Sequence, residues 1–216
     1  MILETEITKL RNAIIKIINL AENQVVEAMN VMAVDADKKA KGVKKVENKI
    51  DKLDVKIDEI CQNIFALQQP VASDLRFIMS AMQISNEAER IGDLSLSIIK
   101  KAKTVKEQPQ LLEKFNIDKL TEDVKATAYK TLEAFENLNE ENINEVFALN
   151  KKVRHTTEEL IQDIISEMQN NTTYVVAGTH LVMTLKHIDR ITSHCANIVE
   201  SVYFMINAKI IKNDKN

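Results

Sequence analysis

Apolar residues recur along this chain at intervals of three and four. In the first segment they fall at Leu3, Ile7, Leu10, Ile14, Ile17, Ala21, Val25, Ala28 and Met32, a stripe along one side of a helix. The spacing predicts a helix over about residues 4–33. A second helix, with Asp35 and Asp37 placed to cap its start, runs to about Leu67. Pro70 then breaks the pattern, because proline suits the first turn of a helix but not its interior. Ser73 and Asp74 mark the start of a third helix that continues to about Lys103. Gln108-Pro109-Gln110 is the second break. Beyond it the pattern predicts helices over about 111–137, 140–168 and 173–211, with the polar run Asn170-Asn171-Thr172-Thr173 forming the turn before the last.

The two halves repeat. Glu89-Arg90-Ile91 and Asp189-Arg190-Ile191 stand 100 positions apart, as do Ile98 and Ile198, and Met82 and Val182. Two copies of a three-helix unit are the simplest account, over residues 1–107 and 108–216. Composition agrees with an all-α reading: Gly occurs three times and Pro twice in 216 residues, too few for a many-stranded protein with its turns. Regular heptads in the first helix would also suit a metal-free coiled-coil adaptor, but the breaks at Pro70 and Pro109 favour compact bundles.

Charge narrows the function classes. With 29 basic and 32 acidic residues the net charge is −3, so no strong field draws the chain to nucleic acid. The lysines between Lys38 and Lys56 are interleaved with acids and read as a solvated helix face. Cys61 and Cys195, each in an apolar helical run, are expected as reduced core residues rather than a disulfide framework. The charged residues Glu4, Glu6 and Lys9 argue against a signal peptide, and no run is long and apolar enough to span a bilayer. A soluble cytoplasmic protein is expected. No nucleophile elbow, phosphate-cradling glycine loop or zinc-ligand spacing appears.

One constellation carries candidate chemistry. Glu47 and Asp51 stand four apart on the second helix, and Glu89 and Asp93 four apart on the third, so each pair shares a face. If the chain reverses at Pro70, facing positions on the antiparallel helices have numbers that sum to about 140. Glu47 then faces Asp93 and Asp51 faces Glu89, all at one level roughly 28 Å from the turn at 1.5 Å per residue. Four carboxylates at one level repel one another unless something positive compensates. Oxygen-only donors suit hard cations such as Mg²⁺, Mn²⁺ or iron. The alternative is a set of solvated charges paired with Lys44, Lys45, Lys49 and Arg90. Gly92, mid-helix between Arg90 and Asp93, marks either close packing or backbone approach to a ligand.

The run Gln69-Pro70-Val71-Ala72-Ser73-Asp74-Leu75-Arg76, followed by Glu89-Arg90-Ile91-Gly92-Asp93 and preceded by Glu47-Asn48-Lys49-Ile50-Asp51, resembles the signature of the PhoU family. The resemblance covers the whole chain in length, repeat and turn positions. It implies an all-α fold of two tandem three-helix bundles. It also implies a non-enzymatic regulator that acts with a Pst-type phosphate importer, through its ATPase subunit, and with a PhoR-type histidine kinase. Homodimers and bound metal (Mg, Mn, Fe or Zn) are further family expectations, with Glu47, Asp51, Glu89 and Asp93 as the matching ligands in the first repeat. The second repeat departs from the pattern. Facing positions there sum to about 343, placing Asn150 opposite Ser193 and Arg154 opposite Asp189. A guanidinium opposite a carboxylate supplies internally the charge a metal would supply, so a second metal site is not expected. A di-metal carboxylate enzyme, the rival reading, would need Glu-x-x-His pairs. The residues three before His155, His180, His187 and His194 are Lys152, Ala177, Thr184 and Ile191, none of them acidic.

Overall fold

The computed structural model describes residues 2–33 and 36–212, with side chains apart from those of residues 33–41. Seven helices follow one another: α1 (Ile2–Ala33), α2 (Ala36–Leu67), α3 (Ala72–Lys106), α4 (Pro109–Phe115), α5 (Asp118–Asn137), α6 (Glu140–Asn170) and α7 (Val175–Asn207). A single 3-10 turn, Thr172–Tyr174, lies before α7, and the described residues contain no strand. The fold is all-α, as the periodicity predicts.

Three details differ from the sequence expectation. The helix expected over 111–137 is two helices, because Asn116 takes the left-handed conformation (φ 33°) and ends α4, with its N–H donating to the carbonyl of Leu112. Asparagine tolerates that region better than most residues. Ser73 and Asp74 do not cap α3. Val71 holds the cap position without a side-chain bond, and Asp74 sits in the first turn, where its charge complements the helix dipole. The last helix stops at Asn207 rather than near 211, closed by Ala208 in the left-handed region (φ 53°). Asp35 and the side chain of Asp37 lie outside the described residues. The polar turn before α7 behaves as expected: Asn171 accepts from the backbone N–H and the hydroxyl of Thr173.

The antiparallel register across Pro70 is visible in named contacts. Ser85 donates its hydroxyl to Asp54 at 2.7 Å, and the Cys61 thiol points to the carbonyl of Ile78 at 4.0 Å. Both pairs sum to 139, one short of the predicted value. The internal repeat extends to burial: the pattern of buried, half-buried and exposed positions over 81–90 recurs unchanged over 181–190. Ile84, Ala88 and Ile91 face inward on α3, and Thr184, Ile188 and Ile191 do the same on α7.

α3 and α7 pack against each other more extensively than any other pair of helices, and α1 also crosses to α5. The seam between the halves is therefore built from the two helices that carry the repeated motif. Buried apolar residues from both halves, from Leu10 to Val202, form one continuous core. At roughly 1.5–3 kcal/mol for each fully buried Val, Leu, Ile or Phe side chain, this shared core is the main favourable term in folding.

Candidate functional site

α2 and α3 bring the acidic motifs together at the predicted level. Glu47 stands beside Asp93, and Asp51 and Asp93 both act on it electrostatically. Burial first, then the contact with Asp93 and the charges of Asp51 and Asp93, raise the Glu47 pKa above its ordinary value; Lys100 opposes this. Glu89 is raised too, by burial and then by Asp93, Asp54 and Asp51, with Arg90 opposing. Each facing pair predicted from the register is thus electrostatically coupled. Asp54 joins the group, a participant the sequence reading missed although it stands three residues after Asp51, on the same helix face.

Positive charge acts on the group only from a distance, from Lys100 on Glu47 and from Arg90 on Glu89. Among the described residues no lysine or arginine pairs with these carboxylates at ion-pair distance; Lys44, Lys45, Lys49 and Arg90, the partners in the alternative reading, make no such contact with them. Nor do three or more of the described acids, histidines or cysteines converge as a ready-made ligand cage. The donors are all oxygen and mutually repelling, which is the chemistry hard cations favour, but in this structure they are not drawn together around one point.

Gly92 directly precedes Asp93 on α3. A Cβ added there would lie 2.8 Å from Oε1 of Gln24 and 3.1 Å from Cδ1 of Ile50. Gln24 is itself buried and donates to the carbonyl of Val43 at 3.0 Å. The glycine is needed for close packing of α3 on α1 and α2.

The second repeat holds a different arrangement at the same level. Arg154 Nε stands 3.6 Å from Asp189 Oδ1, and its terminal nitrogen reaches Ser193 Oγ at 3.5 Å. Asn150 is buried and accepts from the hydroxyl of Thr192 at 3.0 Å, so its partner is one residue away from the expected Ser193. Arg154 opposite Asp189 is the pairing that the sequence register predicts.

At the α3–α7 seam, His194 Nδ1 meets Glu87 Oε2 at 2.6 Å, and Asn197 donates to the same oxygen at 3.0 Å. Burial alone would raise the Glu87 pKa. The hydrogen bonds from His194 and Asn197, with the charges of His194 and Arg90, outweigh it and hold the carboxyl below its ordinary value. His194 is thus packed at the seam against a carboxylate 107 residues away in the chain. Cys61 and Cys195 are free and buried, and burial pushes each thiol up to about 12.

The sequence matches the PhoU domain twice, over residues 14–102 and 117–202. A phosphate-specific transport system accessory protein PhoU from Serratia marcescens is 25% identical over 211 residues, 96% of this chain and 86% of that protein. The protein of the same name from Escherichia coli K12 is 25% identical over 207 residues, 94% of this chain and 85% of its own. The crystal structure of PhoU from Pseudomonas aeruginosa superposes with a TM-score of 0.85 at 25% identity, covering 95% of this chain and 99% of that one. A phosphate transport system regulatory protein PhoU from Streptococcus pneumoniae shares the fold at the same TM-score and 20% identity.

Proposed function

The chain belongs to the PhoU family, and from that membership we propose that it regulates phosphate uptake and the phosphate-starvation response. It does so by contact with a Pst-type transporter, through the ATPase subunit, and with a PhoR-type histidine kinase, as a cytoplasmic homodimer and without catalysis of its own. The observation that carries this reading is the pair of PhoU domains across both repeats, in a chain whose relatives are named as phosphate-specific transport accessory proteins over most of their length. Among the described residues no helix is long and apolar enough to cross a membrane, which suits a partner of a membrane transporter rather than a part of its channel. Both thiols are buried and held well above the range in which a thiolate forms at neutral pH, so neither serves as a nucleophile.

The reading includes a metal ion in the first repeat. Glu47, Asp51, Glu89 and Asp93 would hold it, and the ion would supply the positive charge that the carboxylate group lacks. Its place is structural or regulatory. Relief of repulsion between α2 and α3 ties occupancy to the packing of those two helices.

Deletion of this protein is expected to derepress phosphate-starvation genes in phosphate-rich medium, and the purified chain is expected to retain the Pst ATPase and the kinase in pull-downs. Unchanged expression in a deletion strain that has no second relative would sink the regulatory reading.

A further inference from the structure

The α3–α7 seam has an approximate two-fold symmetry. Ser201 reaches Gln83 and Asn197 reaches Glu87, and both pairs sum to 284. An antiparallel pair with that sum maps onto itself when 100 is added to α3 numbers and taken from α7 numbers, which places the axis at Gly92 and Thr192. Each feature at one end of the seam therefore has a counterpart at the other. At one end stands the carboxylate of Glu87, bound by His194 and Asn197. The counterparts are His187, Leu94 and Ser97. The internal anion of the first end has become a histidine at the second.

That second end is a cleft of about 350 Å³ whose lining includes Arg90, Ser97, Lys100, His187 and Arg190, with Glu47 and Asp93 on one wall. Among the described residues Arg90, Lys100 and Arg190 make no ion pair. Both ring nitrogens of His187 are buried and have no hydrogen-bond partner. A buried imidazole always has a donor to place, and leaving it unpaired costs free energy. Burial, then the charges of Lys101 and Arg190, lower its pKa and keep the ring neutral. Two guanidinium forks and an ammonium surround a neutral donor, and the ligand that matches them is a compact, multiply charged oxyanion.

We propose that this cleft binds a phosphate group, held by Arg90, Lys100 and Arg190 and receiving a hydrogen bond from His187. Glu47 and Asp93 on the wall distinguish it from sulfate. Near neutral pH phosphate still carries a proton to donate to a carboxylate, whereas sulfate has none and is repelled. The cleft's charge is three cations against two carboxylates, so a divalent ion on the acidic wall would strengthen binding by neutralising them. The inference gives the proposed regulator a ligand, and it rests on that reading for its physiological meaning only.

The test is calorimetric titration of the full-length chain with inorganic phosphate in the presence of chelator, repeated with sulfate and then with Mg²⁺ added. Phosphate should bind with sulfate at least about tenfold weaker. Arg190→Ala and Lys100→Ala should each weaken phosphate by about tenfold or more, as loss of one charge-assisted contact implies. Both side chains are exposed, so the variants should keep the parent's circular dichroism and melting temperature. Lys119→Ala, on α5, should bind as the parent does. Titration with a nucleoside triphosphate identifies the source: tighter binding with the same variant sensitivity assigns a nucleotide's phosphate, and equal or weaker binding assigns the free anion. Absence of binding at millimolar phosphate with and without Mg²⁺, or unchanged affinity in Arg190→Ala and Lys100→Ala, overturns the proposal. Either outcome leaves the pull-downs and the deletion phenotype to judge the regulatory reading separately.

Discussion

Arg154 stands 3.6 Å from Asp189, at the level where the first repeat sets Asp51 against Glu89. One repeat answers a carboxylate with a guanidinium, the other with a second carboxylate. The expected outcome is one class of cation site, in the first repeat. Asp93→Asn should weaken divalent-cation binding by about tenfold or more, since it removes one charged oxygen donor. Ser193→Asp should not create a second site, because Arg154 already reaches position 193. Calorimetric metal titration of parent and variants decides this. Two equivalent sites in the parent, or an Asp93→Asn variant that binds as the parent does, would contradict it.

Two helical glycines should respond in opposite directions to alanine. Nothing lies within 4 Å of a Cβ built at Gly42, so Gly42→Ala should stabilise by up to about 1 kcal/mol through helix propensity. At Gly92 the new methyl would press Gln24 Oε1 and Ile50, and moving Gln24 endangers its bond to Val43. Overpacking of that kind costs about 1–3 kcal/mol and should exceed the propensity gain. At about 2–4 °C per kcal/mol for a chain of this size, thermal melts should separate the two variants clearly. A Gly92→Ala variant as stable as Gly42→Ala would show that α3 has room to shift.

Much of the fold could be read from the sequence because each repeat folds back at a marked turn. Pro70 fixes the α2–α3 register, and a register known to one residue places four carboxylates at one level. Arg154 and Asp189 were legible for the same reason. The short α4 was not, because the apolar periodicity runs on through Asn116 and only its backbone conformation ends the helix. The Glu87–His194 contact was hidden for a different reason. No turn joins α3 to α7, so nothing local sets how one repeat slides along the other. That register follows from packing of the shared core, which single-sequence periodicity does not encode.

Cys61 and Cys195 should resist thiol reagents in the folded protein. Each is buried and each pKa is pushed up to about 12, so thiolate is scarce at pH 8 and reagents lack access. Labelling with a chromogenic disulfide should be negligible in native buffer and should reach two thiols per chain in denaturant. Rapid labelling of either cysteine in native buffer would mean that the α2–α3 pair or the core around α7 opens readily.

The seam between the repeats should carry a pH-dependent part of the stability, and Glu87 is its source. Its carboxyl is held below the ordinary value of 4.5 by His194 and Asn197 despite burial. A group whose pKa is depressed on folding stabilises the folded state above its unfolded pKa, and that contribution fades as pH falls through the folded value. Glu87→Gln keeps the shape but removes the charge. Hydrogen bonds to charged groups are worth about 1.5–3 kcal/mol, so the variant should be less stable than the parent by an amount in that range at pH 7. The gap should hold down to about pH 4.5, the unfolded value of an ordinary glutamate, and close progressively below it as Glu87 takes up its proton. Urea unfolding of parent and variant at a series of pH values is the measurement. A gap that stays constant into acid would mean that the contact holds the seam by packing alone, with no contribution from the Glu87 charge.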